Sequence, residues 1–162
     1  MSEQPATEHP APAHSTPADT NPGPGADTSA GLPAGLSARV ELTVTDADTA
    51  QAVGSGDVPV LGTPRLLALA EAATVAATAT RMSAGKTTVG VRVELEHRTA
   101  TPVGRMVVAL AKLAKVDGRR LLFEVTVTEG DTTVAEGRIE RVLVDRQRFV
   151  ARAFDEQGPG RS

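Results

Sequence analysis

The hydrophobic pattern of the chain centres on residues 62–80, where apolar or small residues occupy nearly every helical position. A helix that is apolar on all sides is usually buried, so this pattern predicts a buried helix over residues 64–82. Thr63 suits the N-cap of that helix, and Pro64 suits its first turn. One acid, Glu71, interrupts the apolar stretch. A carboxylate in a buried helix is costly unless it has a partner or a function.

The segments on either side of this helix alternate apolar and polar residues, which is typical of half-buried β-strands. The pair Asp117-Gly118 indicates a tight hairpin between two of them. One strand before the helix and four consecutive strands after it exclude a doubly wound parallel sheet. We therefore predict an α+β domain in which an antiparallel sheet wraps around one long central helix. The predicted strands cover residues 38–45, 88–98, 105–116, 120–128 and 132–144.

Composition separates a tail from this domain. Residues 1–37 are rich in Pro, Ala, Ser, Thr and Gly and contain almost no large apolar side chains. Such a segment cannot bury enough surface to offset its conformational entropy, so we expect it to be disordered. The predicted organisation is a disordered tail over 1–37, a folded domain over 38–152 and a flexible C-terminus over 153–162.

Charge and residue usage exclude several classes of function. The net charge is −3, no basic tract is present, and the only aromatic residues are three Phe, which argues against nucleic-acid binding. With no Cys, one His outside the tail and no nucleotide-binding or metalloenzyme motif, we expect neither a metal nor a cofactor. No apolar run is long enough to span a membrane. Because the first basic residue is Arg39, the N-terminus lacks the positive region of a signal peptide, and we expect a cytoplasmic protein.

Three polar residues are candidates for chemistry, and each has a structural alternative. Glu71 either activates water or attacks a carbonyl, or it is a structural acid paired with an arginine such as Arg141. His97 is either a core histidine at a strand end or a functional imidazole that faces the helix. Thr63 is an N-cap that can also lend its amide or hydroxyl to an acyl oxygen, because a helix N-terminus favours negative charge. Alternation places His97 on an apolar strand face with Val89, Val91, Val93 and Leu95.

The spacing of these candidates limits how they cooperate. Thr63 and Glu71 are eight residues apart, which is roughly 12 Å along a regular helix. Both can hardly touch one carbonyl carbon from the same chain. Either the helix begins later than predicted, or one site combines residues of two subunits, as a two-fold dimer would allow.

Two stretches together resemble a known family. Residues 62–73 read Gly-Thr-Pro-Arg-Leu-Leu-Ala-Leu-Ala-Glu-Ala-Ala, and residues 93–102 read Val-Glu-Leu-Glu-His-Arg-Thr-Ala-Thr-Pro. In this order and spacing they resemble the fluoroacetyl-CoA thioesterase-like hotdog proteins. Residues 116–123 and 140–149 extend the resemblance, which covers about residues 40–152.

The resemblance implies a hotdog fold, a homodimer whose sheets join, and hydrolysis of an acyl-CoA thioester. The family's functional threonine, glutamate and histidine fall on Thr63, Glu71 and His97. In related hotdog thioesterases, an amide at the helix start and a mid-helix carboxylate come from different subunits. That arrangement would resolve the spacing of Thr63 and Glu71.

One departure from the family concerns the substrate. In the fluoroacetyl-specific enzyme, phenylalanines ahead of the helix form a lid over the acyl group, whereas residues 46–62 here contain no aromatic. We therefore expect a different small acyl group. Two alternatives stay open on the same fold. One is a module that binds an acyl-CoA or another small ligand without turnover, and the other is a dehydratase or hydratase, for which no specific motif is present.

Overall fold

The computed structural model describes residues 32–155, which form one antiparallel sheet packed against one long helix. The predicted disorder of residues 1–31 and flexibility of residues 156–162 concern parts of the chain outside these described residues. Short 3-10 turns lie at Asp46–Asp48 and Ala79–Arg81. In chain order the elements are β1 (Ser37–Thr43), α1 (Ala50–Val53), α2 (Thr63–Thr78), β2 (Lys86–His97), β3 (Met106–Asp117), β4 (Arg120–Glu129), β5 (Thr132–Asp145) and α3 (Arg146–Asp155).

The sheet has the strand order β1-β3-β4-β5-β2, and every neighbouring pair is antiparallel. The predicted α+β arrangement is confirmed, and each strand lies within two residues of its predicted bounds. The predicted hairpin is present: Asp117 pairs with Arg120, and Gly118 adopts a φ of 56°. Glycine suits that turn because it enters the left-handed region without a steric penalty.

Helix α2 buries one face against the sheet. The buried positions recur every three to four residues, as expected for a helix packed on one side. The opposite face, which includes Ala72 and Val75, is exposed in the single chain, so the predicted burial on nearly every side is wrong. Alanine favours a helix whether or not it is buried, so an alanine-rich stretch does not reveal which face packs. The buried residues of α2 are Leu66, Leu69, Ala70, Ala73, Thr74, Ala77 and Thr78.

The sheet supplies the other half of the core. Its inward face is apolar on every central strand, and Phe123 is the largest fully buried side chain. The residues of β3, β4 and β5 that line it are Val107, Ala109, Ala111, Leu113, Leu121, Phe123, Val125, Val127, Val134, Ala135 and Ile139.

The two ends of the described chain differ from the predicted boundaries. Composition assigned Leu32, Gly35 and Leu36 to the tail. In the structure Leu32 is buried in the core, and Gly35 and Leu36 form backbone hydrogen bonds with Leu113 of β3. The many Pro and Gly residues around this short apolar segment give it the composition of a disordered tail, so a prediction from composition misses the contact. Helix α3 was not predicted, and its last three residues fall in the segment expected to be flexible. No helix within residues 32–155 has the length and apolar character needed to cross a membrane.

Strand β2 forms an edge of the sheet and contains a bulge. Gly90 pairs with Arg141 and Arg92 pairs with Glu140, so Val91 is an extra residue without a partner. A bulge interrupts the alternation of side chains. Before the bulge the core-facing residues are the buried Thr88 and Gly90, which faces Glu71, so the predicted apolar face is wrong for Val89. After the bulge Val93 lies opposite the buried Ile139 and keeps its predicted side, although Val91 and Val93 are 53% and 37% exposed.

Candidate active site

The start of α2 determines where Thr63 points. The N-cap is Gly62, and Thr63 is the first helical residue, so the predicted N-cap role of Thr63 is wrong. A side chain at position 62 would be crowded, because a Cβ there would lie 2.9 Å from Val53 Cγ2 and 3.1 Å from the Cα of Ala50. The Thr63 hydroxyl is consequently free to bond elsewhere.

The Thr63 hydroxyl contacts His97. Thr63 Oγ1 lies 2.8 Å from His97 Nδ1. His97 is the last residue of β2 and pairs with Ala135 of β5, while the N–H groups of Arg98 and Thr99 both donate to the carbonyl of Val134. The sheet therefore anchors the backbone on both sides of His97. Two residues that are far apart in sequence meet at the first turn of α2.

The His97 ring is half-buried, and its surroundings favour the neutral form. Burial lowers the pKa of His97 below its ordinary value of 6.5, and the backbone carbonyl of Thr99 opposes this shift. Its Nε2 atom is buried and has no hydrogen-bond partner among residues 32–155. A neutral imidazole with one unused nitrogen can hold water, bind a carbonyl or move a proton.

Glu71 lies two turns further along the same helix, beside Arg141. Glu71 Oε1 accepts a hydrogen bond of 3.2 Å from Arg141 Nη1, so the predicted pairing with Arg141 is confirmed as a contact. Thr88 holds the other side of the guanidinium: Arg141 Nε donates to Thr88 Oγ1 and Nη2 donates to the Thr88 carbonyl, both at 2.9 Å. Burial lowers the pKa of Arg141 and the negative charge of Glu71 opposes this, but a guanidinium stays charged in proteins.

Gly90 makes room for the Glu71 carboxylate. A Cβ at position 90 would overlap Glu71 Oε1 and would lie 3.6 Å from Arg141 Nη1. Gly90 also pairs with Arg141 across the sheet. The missing side chain therefore creates the space in which the carboxylate meets the guanidinium. The sequence reasoning missed Gly90, although a glycine inside a strand is a known signal for a bulge or a close approach.

The segment before α2 is tied to the first turn of the helix by a second ion pair. Arg65 Nε lies 2.8 Å from Asp48 Oδ1, and Asp48 Oδ2 accepts bonds of 2.8 Å from both the amide and the hydroxyl of Thr45. Burial alone would raise the pKa of Asp48, but these hydrogen bonds outweigh it and hold the pKa below its ordinary value of 3.8. The Gly62 amide donates to the Asp48 carbonyl, which fixes the position of Thr63. No sequence motif indicates this pair.

The structure brings two of the three predicted site residues together. Thr63 and His97 are in contact, whereas Glu71 is separated from them along α2 by roughly 12 Å of helical rise. Because α2 is continuous from Thr63 to Thr78, the alternative in which the helix begins later is excluded. Four cavities on the described part of the chain are lined by other residues. Within residues 32–155, no three His, Asp or Glu side chains cluster to hold a metal ion.

Comparison with known sequences identifies the family. The family model described as fluoroacetyl-CoA-specific thioesterase matches residues 44–147. The chain belongs to this family. A fluoroacetyl-CoA thioesterase from Streptantibioticus cattleyicolor is 32% identical over 93 residues, which cover 57% of this chain and 67% of that protein.

Solved structures agree with this membership. A fluoroacetyl-CoA thioesterase structure superposes with a TM-score of 0.73 at 26% identity and covers 80% of this chain and 99% of its own. A thioesterase superfamily member from Thermus thermophilus gives 0.70 at 26% identity, covering 77% and 94%. A hot-dog-like protein from Thermanaerovibrio acidaminovorans gives 0.71 at 24% identity, covering 80% and 96%, and supports the fold alone. The predicted hotdog fold is confirmed, and the chain is a member of a family of thioester hydrolases.

The contact between Gly90 and Glu71 yields a prediction that separates activity from stability. In Gly90→Ala the new methyl group displaces the carboxylate, which is the end of a flexible side chain. We expect thioester hydrolysis to fall about 100-fold, because a misplacement of roughly 1 Å has that effect on a reacting group. The free energy of unfolding should fall by only about 1 kcal/mol, because the carboxylate is moved and not removed, and both hydrogen bonds from the buried Arg141 to Thr88 remain. Thiol release and urea denaturation measure the two effects.

Gly56→Ala is the matched control for this substitution. A Cβ at Gly56 would make an ordinary contact of 3.5 Å with Ala50 Cβ, so this variant should match the wild type in both measurements. Full activity in Gly90→Ala would contradict a role for the position of Glu71.

The environment of His97 predicts its titration. Because burial lowers the pKa of His97, its NMR titration midpoint should lie below 6.5, and the ring should stay neutral at pH 7. Activity that requires the neutral ring should then be lost, as the pH falls, at a lower pH than for an ordinary histidine. His97→Gln removes the resonance and so assigns it. A midpoint at or above 6.5 would show that the ring is not desolvated as described.

Proposed function

We propose that the protein hydrolyses a small acyl-CoA thioester, with Thr63, Glu71 and His97 as its catalytic residues. The observation that carries this proposal is the Thr63–His97 hydrogen bond at the start of α2, with His97 Nε2 left buried and unpaired. A buried nitrogen without a partner is costly, so it marks a place where substrate, water or a second subunit completes the site. Because the chain belongs to a thioesterase family, the reaction we assign to this site is thioester hydrolysis.

The first turn of α2 would polarise the thioester carbonyl. The Gly62 amide donates to Asp48, the amides of Arg65 and Leu66 donate to the Gly62 carbonyl, and Pro64 has no N–H. Thr63 is the residue of this turn whose amide has no acceptor among residues 32–155. A free N–H at a helix N-terminus stabilises the negative charge that develops on the carbonyl oxygen during attack.

Glu71 would supply the attacking group. As a general base its carboxylate takes a proton from water while the water oxygen bonds to the carbonyl carbon. The tetrahedral intermediate then collapses, the C–S bond breaks, and the CoA sulfur leaves as a thiolate and acquires a proton. As a nucleophile the carboxylate forms the bond to carbon itself and gives a mixed anhydride, which water then cleaves. In either route His97 positions the water or transfers the proton.

A homodimer would bring the separated residues into one site. Strand β2 pairs with β5 on one side only, and its free edge exposes Val91 and Val93. Such an edge is a template for another strand. If β2 pairs antiparallel with its copy about a point midway between Gly90 and His97, then Glu71 beside Gly90 lies next to the partner's His97. Two equivalent composite sites would result.

The acyl group we propose is small but not fluoroacetyl-specific. The large apolar side chains that residues 46–62 provide ahead of α2 are all aliphatic, among them the exposed Val53 and Val58. Without an aromatic lid this segment offers no selective cover for one fluorinated acyl group.

The Glu71–Arg141 ion pair is the observation that favours the alternative, a non-catalytic module that binds an acyl-CoA or a similar ligand. It gives Glu71 a structural role that needs no turnover. Binding of acyl-CoA without hydrolysis, over short and long acyl chains, would select this alternative.

The direct test is thiol release from a panel of acyl-CoAs by wild type, Glu71→Gln and Glu71→Ala. Loss of the carboxylate should slow hydrolysis by at least about 100-fold. Glu71→Gln is the matched variant, because its amide oxygen can still accept the Arg141 hydrogen bond and so protects the buried cation from losing its partner. An unchanged rate in folded Glu71→Gln would remove Glu71 from the mechanism.

The composite site has its own test, which mixes two inactive variants. We expect His97→Ala and Glu71→Gln, after subunit exchange, to regain about one quarter of wild-type activity. Half of the randomly mixed dimers carry both variants, and each of these has one intact site of two. Mixing two samples of the same variant is the control. No recovery, with exchange verified by mass spectrometry, would place all three residues in one chain's site.

A further inference from the structure

Helix α3 and the start of β2 border a groove that the proposed chemistry does not use. Its volume is about 570 Å³, within the range of roughly 300–1,000 Å³ that is typical of small-molecule sites. The Arg146 amide donates to the Gly85 carbonyl at 2.9 Å, which fixes the first turn of α3 against β2. The groove is lined by Gly85, Asp145, Arg146, Gln147, Val150 and Ala151.

The charge around this groove favours an anion. Arg146 lines the groove and forms no salt bridge within residues 32–155. The one carboxylate that lines the groove, Asp145, lies 3.7 Å from the Lys86 ammonium and accepts a hydrogen bond from the Arg148 amide. Its charge is therefore compensated, and Arg146 is the charged group of the lining without a counter-ion among the described residues.

The groove also offers apolar surface. Val150 and Ala151 form part of its wall, and Phe154 follows Val150 by one helical turn on the same side of α3. Phe154 is 73% exposed, so its ring is accessible to a ligand in the groove. A ligand that fits would combine a flat apolar group with phosphates, because aromatic and guanidinium groups recognise these two features.

The position of the groove matches the length of an acyl-CoA. Gly85 precedes Gly90 by five residues, so the groove lies about 17 Å along β2 from the place where Glu71 meets the strand. The pantetheine arm has a covalent chain like that of four to five amino-acid residues and spans about 15 Å when extended. A thioester at Glu71 would thus place the nucleotide end at α3.

We propose that the α3 groove binds the phosphorylated adenosine end of the acyl-CoA substrate, with Arg146 contacting a phosphate and Val150 and Phe154 contacting the adenine. This inference rests on the proposed thioesterase function. It adds a specificity-determining site at the other end of the same substrate.

The binding test uses adenosine 3′,5′-bisphosphate, which carries the nucleotide phosphates but no thiol. Calorimetric titration of the full chain should show binding to wild type and about tenfold weaker binding to Arg146→Gln, the loss expected for one charge-assisted hydrogen bond. Arg146→Lys keeps the charge and should bind with intermediate affinity. Arg39→Gln is the control, because Arg39 is an exposed arginine on β1 at the opposite edge of the sheet. No binding to wild type would overturn the proposal.

The kinetic test compares an acyl-CoA with the N-acetylcysteamine thioester of the same acyl group. Arg146→Gln should lower kcat/KM about tenfold for the acyl-CoA and leave the truncated thioester unaffected. An equal loss on both substrates would assign Arg146 to structure or chemistry and overturn a nucleotide site. A change in oligomeric state with unchanged bisphosphate affinity would make the groove a contact between copies instead. If wild type hydrolyses neither thioester, the proposed function fails, and bisphosphate binding still decides whether the groove takes a nucleotide.

Discussion

The buried guanidinium of Arg141 is the constraint on which the candidate site depends. Its side chain is only 7% exposed, and a charge in that position must be compensated by hydrogen bonds and a counter-ion. Thr88 accepts two of its N–H groups, and Glu71 supplies the negative charge. The carboxylate reaches Arg141 only because Gly90 leaves space for it. The buried Arg141 thus explains three residues together: the acid Glu71 on the helix, the hydroxyl of Thr88 on the strand, and Gly90 beside the bulge.

The rigidity of α2 carries this constraint to the rest of the site. Glu71 is fixed against β2 and β5, while Thr63 is fixed by the packing of Gly62 and by the ion pair between Asp48 and Arg65. A regular helix holds these two anchored points roughly 12 Å apart. Small adjustments cannot close that distance within one chain. In the proposed dimer, a second copy completes the site through the free edge of β2, which carries both Gly90 and His97.

The sequence predicted those features that depend on local pattern. Alternation located the four strands after the helix to within two residues, because side chains on one face of a strand share one environment. The residue pattern singled out Thr63 and His97 as candidates, the family resemblance supported both, and the structure places them in contact. The failures have non-local causes. The bulge at Val91 follows Gly90, which packs against Glu71 of a helix far away in sequence, and the N-cap Gly62 packs closely against Ala50 and Val53.

The structural and catalytic interpretations of Glu71 are compatible because its contact with Arg141 is single. Only Oε1 accepts from the guanidinium, the other described N–H bonds of Arg141 go to Thr88, and the Glu71 side chain remains 37% exposed. The second carboxylate oxygen is therefore free to face a substrate. The hydrogen bond through one oxygen already restricts the Glu71 side chain, so less conformational entropy is lost when it reacts. The same bond fixes the orientation of the other oxygen. An ion pair that stabilises the fold would then also be the support that aims the attacking group.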